Sequence, residues 1–198
     1  MRSVAKIMSL FLISILVLSG CSKSSTISFK TYTLSQLQAD FKQFQTTIET
    51  AHPMLYTDKE ELSRLFDSQY RLLRDNMEEI EFYRVLTPIA SKLNCGHTDV
   101  YFSKEFGDFV YKNGKYLPLT VKVIDNRAYV YQSLLLSGIP AGSEILSING
   151  RKIKDIIKIF LENLTADGAN TSKKYYIMNN WFSDVYFNYI DSPEYFNI

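Results

Sequence analysis

The sequence is short of the residues that most often carry site chemistry. Its 198 residues include two cysteines, two histidines and one tryptophan. There is no C-x-x-C pair, no H-E-x-x-H, no G-x-S-x-G elbow and no glycine-rich phosphate loop. A zinc site draws three or four ligands from Cys, His and carboxylates, and this chain offers few, so neither a metal nor a cofactor is expected. Charge of one sign is also lacking. Lys and Arg number 22 against 21 Asp and Glu, for a net charge of +1. No basic stripe stands out, which argues against nucleic acid as a partner. There is no internal repeat. Aromatic residues, by contrast, are plentiful, with 14 Tyr and 13 Phe.

One long apolar run is present, at the N-terminus. Arg2 and Lys6 precede it, Ile7 to Leu18 forms it, and Leu18-Ser19-Gly20-Cys21 follows. A stable membrane-spanning helix needs about 20 apolar residues, so this run has the length and flanks of a secretory signal. The small residues before Cys21 resemble the lipobox of bacterial lipoproteins. That resemblance implies a signal peptide over 1–20 and a diacylated Cys21. It implies lipid anchoring to the cell membrane or outer membrane, on the extracytoplasmic side. Two acyl chains anchor stably where one does not. Lipidation would consume Cys21 and leave Cys95 with no disulfide partner.

Residues 21–32 read as a tether. Helical periodicity begins at Thr33, where Gln36 stands at capping-box spacing. Leu34, Leu37, Phe41, Phe44 and Ile48 fall on one face. Ala51-His52-Pro53 ends that helix, because a residue before proline avoids helical dihedrals. Thr57 with Glu60 repeats the cap spacing for a second helix to about Leu73, with Leu62, Leu65, Phe66 and Leu73 inward. A third covers about Glu79 to Leu93, with Phe82, Leu86, Ile89 and Leu93 inward and a kink expected at Pro88. The period then changes. Val100-Tyr101-Phe102 reads as a strand. Leu117, Leu119, Val121 and Val123 alternate into a strand that turns at Asp125-Asn126 and returns over Ala128 to Tyr131. Gly142 to Ile148 reads as another strand, ending at the hairpin pair Asn149-Gly150 and closed by Ile153. Asp155 to Asn163 is a short helix. Thr171 to about Ile190 is a helix rich in aromatics, and Tyr195 to Ile198 reads as a strand. The expected fold class is α+β: a three-helix bundle over 33–97, a β-rich module over 98–166, and a C-terminal aromatic-rich helix within 167–198.

Three segments carry a family resemblance. Ser137-Gly138-Ile139-Pro140-Ala141-Gly142-Ser143-Glu144-Ile145-Leu146-Ser147-Ile148-Asn149-Gly150 resembles a segment of the PDZ domains of bacterial proteases. His52-Pro53-Met54-Leu55-Tyr56 precedes Lys59-Glu60-Glu61-Leu62 and Phe66. Glu81-Phe82-Tyr83-Arg84 precedes Leu93-Asn94-Cys95-Gly96-His97-Thr98. In this order they resemble the N-terminal part of the C-terminal-processing, or tail-specific, serine peptidases, including their tricorn-like branch. The resemblance implies a helical domain, then a PDZ-like domain, then the start at residue 167 of a catalytic domain whose serine lies beyond Ile198. The chain alone would then be inactive in peptide-bond hydrolysis.

The resemblance also names sites. In the tricorn-like branch a histidine at the place of His97 faces the nucleophilic serine as general base, a role that suits imidazole. The alternative is a structural histidine at a helix end, with Gly96 as the cap. His52 reads as a turn and packing residue, and Cys95 as a small, partly buried apolar one. A PDZ-like module takes a peptide C-terminus as an added strand. Leu117, Leu119 and Val121 on the strand, with Ile156 and Ile159 on the helix, are the candidate groove. Expected partners are therefore the membrane, peptide or protein C-termini, and a separate catalytic domain. A non-enzymatic peptide-binding lipoprotein is the alternative function, and a broken reading frame is a third. The aromatic stripe from Tyr175 to Tyr189 is expected to be core that a catalytic domain would cover, leaving an exposed patch without it.

Overall fold

The computed structural model describes residues 30–53, 57–134 and 138–198. The expected signal peptide, Cys21 and most of the expected tether lie outside the described residues, as do Met54 to Tyr56 of the His-Pro segment and Ser137 of the segment resembling a PDZ domain. The fold is α+β. In chain order the elements are β1 (Thr31–Tyr32), α1 (Leu34–Ala51), α2 (Lys59–Tyr70), β2 (Met77–Glu78), α3 (Glu79–Lys92), α4 (Lys104–Asn113), β3 (Leu119–Ile124), β4 (Arg127–Ser133), β5 (Glu144–Ile145), β6 (Ser147–Ile148), β7 (Arg151–Lys152), α5 (Ile153–Asn163) and α6 (Ser172–Tyr189). No helix among the described residues is long and apolar enough to cross a membrane.

Local chemistry explains most boundaries. Thr33 caps α1 in a full capping box with Gln36. The second helix is capped by Asp58 and not by Thr57. Asp58 Oδ1 accepts from the backbone N–H of Glu60 and Glu61, each at 2.9 Å. The Thr57 hydroxyl donates instead to the Leu93 carbonyl at 3.0 Å, tying the start of α2 to the end of α3. The helix ends at Tyr70, short of Leu73, although Leu73 is still buried. α3 is continuous through Pro88.

Two apolar clusters form the body of the protein. Leu37, Phe41 and Ile48 of α1 meet Leu62 and Phe66 of α2 and Val85, Leu86 and Ile89 of α3. The second cluster holds Leu117, Leu119, Val121 and Val123 with Ile145, Ile148, Ile156, Phe160, Met178, Phe182 and Tyr186. The period-2 alternation at 117–123 is thus one buried face of a strand. β3, β4 and β5 form an antiparallel sheet in that order. Asp125 and Asn126 both take positive φ in the β3–β4 turn, as do Asn149 and Gly150 between β6 and β7, the backbone that two-residue hairpins of this kind require.

Several expectations are corrected. Val100 to Phe102 is not a strand, because the chain there runs directly into α4. Ser103 caps that helix and accepts from the Phe106 N–H, and Phe106 and Val110 pack with Phe187 in a third small cluster. The stretch Gly142 to Ile148 breaks at the exposed Leu146 into β5 and β6. Ile153 is already the first residue of α5, yet its N–H still donates across to the Leu146 carbonyl at 2.9 Å, so it closes the hairpin as expected. Tyr195 to Ile198 forms no strand. Its tie is a pair of hydrogen bonds between Asn149 and Asn197, each 2.8 Å. Thr31 and Tyr32, read as tether, pair with Glu78 and Met77.

The largest correction concerns α6. Its stripe finds its partner within this chain, since Met178, Phe182, Val185 and Tyr186 are buried against β3 and α5. Trp181 and Tyr176 remain on the surface, 49% and 61% exposed. The helix bends at Trp181, whose φ of −136° and ψ of 39° are not helical.

Candidate functional site

The residues with chemical potential meet where the end of α3 touches the loop between α5 and α6. α3 closes at Leu93. Asn94 then takes a positive φ of 49°, so Asn94 supplies the left-handed turn expected of Gly96. Its carbonyl accepts from the Gly168 N–H at 2.8 Å, and Gly168 is itself left-handed at φ 56°. Two turns are thereby clamped back to back.

This clamp brings Asp167 onto the Cys95-Gly96-His97 segment. Asp167 Oδ1 accepts from the Gly96 N–H at 2.6 Å and lies 3.6 Å from His97 Nδ1. Gly96 eases this approach. A Cβ there would sit 3.1 Å from Asp167 Oδ2 and 3.2 Å from its carboxyl carbon. On the far side, Lys173 Nζ donates to the Gly96 carbonyl at 2.6 Å. The His97 side chain is 84% exposed, so its ring is open to a partner group. Cys95 is half-buried with a free thiol.

The surrounding polar groups hold the loop in place. His52 Nε2 and Thr98 Oγ1 are 3.1 Å apart, so His52 fastens the end of α1 to the loop. The Thr165 hydroxyl donates to Asp99. Ser91 Oγ donates to the Leu164 carbonyl, and Thr87 Oγ1 to Asn163 Oδ1. Lys174 Nζ donates to the Leu161 carbonyl at 2.6 Å, and burial pushes this amine below the usual lysine range.

No protein-family model matches the chain, and no curated protein matches it. Its chemistry is therefore read from its own geometry. His97 Nδ1 faces the Asp167 carboxylate at 3.6 Å, just beyond hydrogen-bond reach, and the carboxylate is held by the Gly96 amide. Asp167 was not singled out in the sequence, because nothing local links it to a loop 71 positions away.

The candidate peptide groove is arranged differently from the expectation. Leu117, Leu119 and Val121 are each 1% exposed, pointing into the core. Ile156 is buried and Ile159 half-buried. The outer edge of β3 carries α6. Asn179 Oδ1 accepts from the Val123 N–H at 2.6 Å, and Asn179 Nδ2 donates to the Val123 carbonyl at 3.2 Å. Ser183 Oγ sits 2.8 Å from the Leu117 carbonyl and 3.1 Å from that of Leu119. Side chains of α6 thus occupy backbone groups that an added strand would use.

The Glu81-Phe82-Tyr83-Arg84 segment also gains a physical role. Arg84 Nε and Nη2 donate to the carbonyls of Asn188 and Phe187, both at 2.8 Å, capping the C-terminal end of α6. Tyr83 stacks on Tyr189 with ring centroids 5.9 Å apart. Glu81 pairs with Arg74 and accepts from the Glu78 N–H at the start of α3.

Proposed function

We propose that this chain is the membrane-anchored N-terminal part of a tail-specific-type serine peptidase, in which His97 is the general base and Asp167 orients it. In this reading Cys21 carries the lipid, and the chain acts outside the cytoplasm. Residues 33–97 correspond to the helical domain. Residues 98–166 correspond to the PDZ-like module, with β3, β4, the Asn149-Gly150 hairpin and α5 as its frame. The nucleophilic serine comes from a catalytic domain other than the described residues, so the chain by itself does not hydrolyse peptides.

The observation that carries the reading is the exposed His97 ring with the Asp167 carboxylate 3.6 Å from its Nδ1. A buried histidine with both nitrogens engaged would argue for a structural role; an outward ring backed by a fixed carboxylate suits proton transfer to an incoming hydroxyl. The alternative of a peptide-binding lipoprotein draws less support, because α6 covers the β3 edge.

The test is a chimera that joins this chain to the serine-bearing catalytic domain of a tricorn-like relative, replacing that enzyme's own N-terminal part. General-base catalysis contributes about 10²- to 10⁴-fold. We expect His97→Ala to lower peptide hydrolysis by about that factor, and Asp167→Asn by less. A folded, active chimera indifferent to His97→Ala would refute the base assignment.

A further inference from the structure

We infer that Cys95, His97 and Asp167 form a binding site for a zinc-like divalent cation. One ligand atom from each residue lies within 4.8 Å of the other two. A sulfur, an imidazole nitrogen and a carboxylate oxygen are the donor set of zinc and its borderline neighbours, and hard cations such as Mg²⁺ avoid sulfur. In a tetrahedral zinc site with bonds near 2.0–2.3 Å, neighbouring donors stand about 3.3–3.8 Å apart. The His97–Asp167 separation of 3.6 Å already falls there.

The arrangement of the three atoms separates a metal site from a thiol relay. In a Cys–His–Asp relay the sulfur and the carboxylate bind opposite nitrogens of the ring, about 7 Å apart. Here all three pairs are within 4.8 Å, so the donors form a triangle with no side longer than that. Small side-chain rotations close it, and water can take the fourth position at this open surface.

The site is also built at the backbone. Gly96 leaves room for the carboxylate, as its missing Cβ shows, and its N–H fixes Asp167 Oδ1. The clamp between Asn94 and Gly168 holds the two loops together. A thiolate and a carboxylate supply two negative charges against the ion's two positive ones. Lys173, the neighbouring cation, is engaged with the Gly96 carbonyl. The inference stands apart from the peptidase reading and competes with it, because a bound cation would take His97 and Asp167 out of the proton-transfer role.

The experiment uses the full chain carrying Cys21→Ser, purified in detergent without a polyhistidine tag, so that Cys95 is the sole thiol. The chelator-stripped protein is titrated with Co²⁺ alone and then with Zn²⁺ in competition. We expect one Co²⁺ per chain, a near-ultraviolet thiolate-to-cobalt charge-transfer band, and its displacement by Zn²⁺. Cys95→Ser should abolish the band. Cys95→Ser and His97→Ala should each weaken Zn²⁺ binding by about tenfold or more. Circular dichroism checks that each variant is folded. Absence of the band, or equal Zn²⁺ affinity in the parent and both folded variants, overturns the assignment.

Discussion

Replacing Asn179 by alanine tests how α6 is held on the sheet. The side chain makes two hydrogen bonds to one residue of β3, accepting from the Val123 N–H at 2.6 Å and donating to its carbonyl at 3.2 Å. Val123 is 3% exposed. A typical hydrogen bond contributes a net 0.5–1.5 kcal/mol or so, and a buried group left unpaired costs about 1–3 kcal/mol. The N–H, with the shorter bond, should suffer more than the carbonyl. Asn179 is itself only half-buried, so water can partly replace it, and a loss of about 1.5–2.5 kcal/mol is expected. With a urea slope of about 2 kcal/mol per molar, the unfolding midpoint falls by about 1 M while the slope stays constant. The adjacent Asn180→Ala is the control. Asn180 is exposed and bonds only within its own helix, to the Tyr176 carbonyl, so its midpoint should move by no more than about 0.2 M. Equal midpoints for the two variants would refute the capped edge, and with it the position of α6 on β3.

Arg84→Lys should destabilise by about 1–2 kcal/mol, since one ammonium cannot reproduce the guanidinium fork on the Phe187 and Asn188 carbonyls; urea midpoints unchanged from wild type would exclude this cap. Lys174 tests the pH dependence of folding. Burial lowers its pKa below the ordinary 10.5, so the folded protein releases this proton before the unfolded chain does. Over the window between the two values the unfolded state binds more protons, and wild type gains stability relative to Lys174→Met as pH rises through it; a stability difference that is flat with pH would contradict the burial. Cys21→Ser should abolish incorporation of a fatty-acid analogue in cells, and equal label in wild type and variant would remove the lipoprotein reading.

Some of this protein is written in short-range sequence. Thr33 and Gln36 fix the start of α1 because a capping box needs only residues three apart. The alternation at Leu117 to Val123 identifies a half-buried strand, and Asn149-Gly150 and Asp125-Asn126 mark hairpins through their tolerance of positive φ. Competition between neighbours was harder to read. Asp58 outbids Thr57 for the α2 cap, since its carboxylate reaches two amides while Thr57 is drawn to α3. α4 was missed because Phe106 and Val110 give only a narrow apolar stripe, whose partner Phe187 lies in α6.

What the tertiary structure alone decided is which distant segments share a surface. The aromatic residues of α6 marked it as buried, but not that it would lie along β3 and saturate the strand's edge through Asn179 and Ser183. Likewise His97 and Cys95 were visible as isolated residues. Asp167 joins them only because α3 packs against α5 through Thr87 and Ser91, which sets the two following turns face to face. Sequence periodicity reports which face of an element is apolar. It carries no information on which other element will cover that face, because burial is non-directional and is satisfied by any apolar surface of fitting shape.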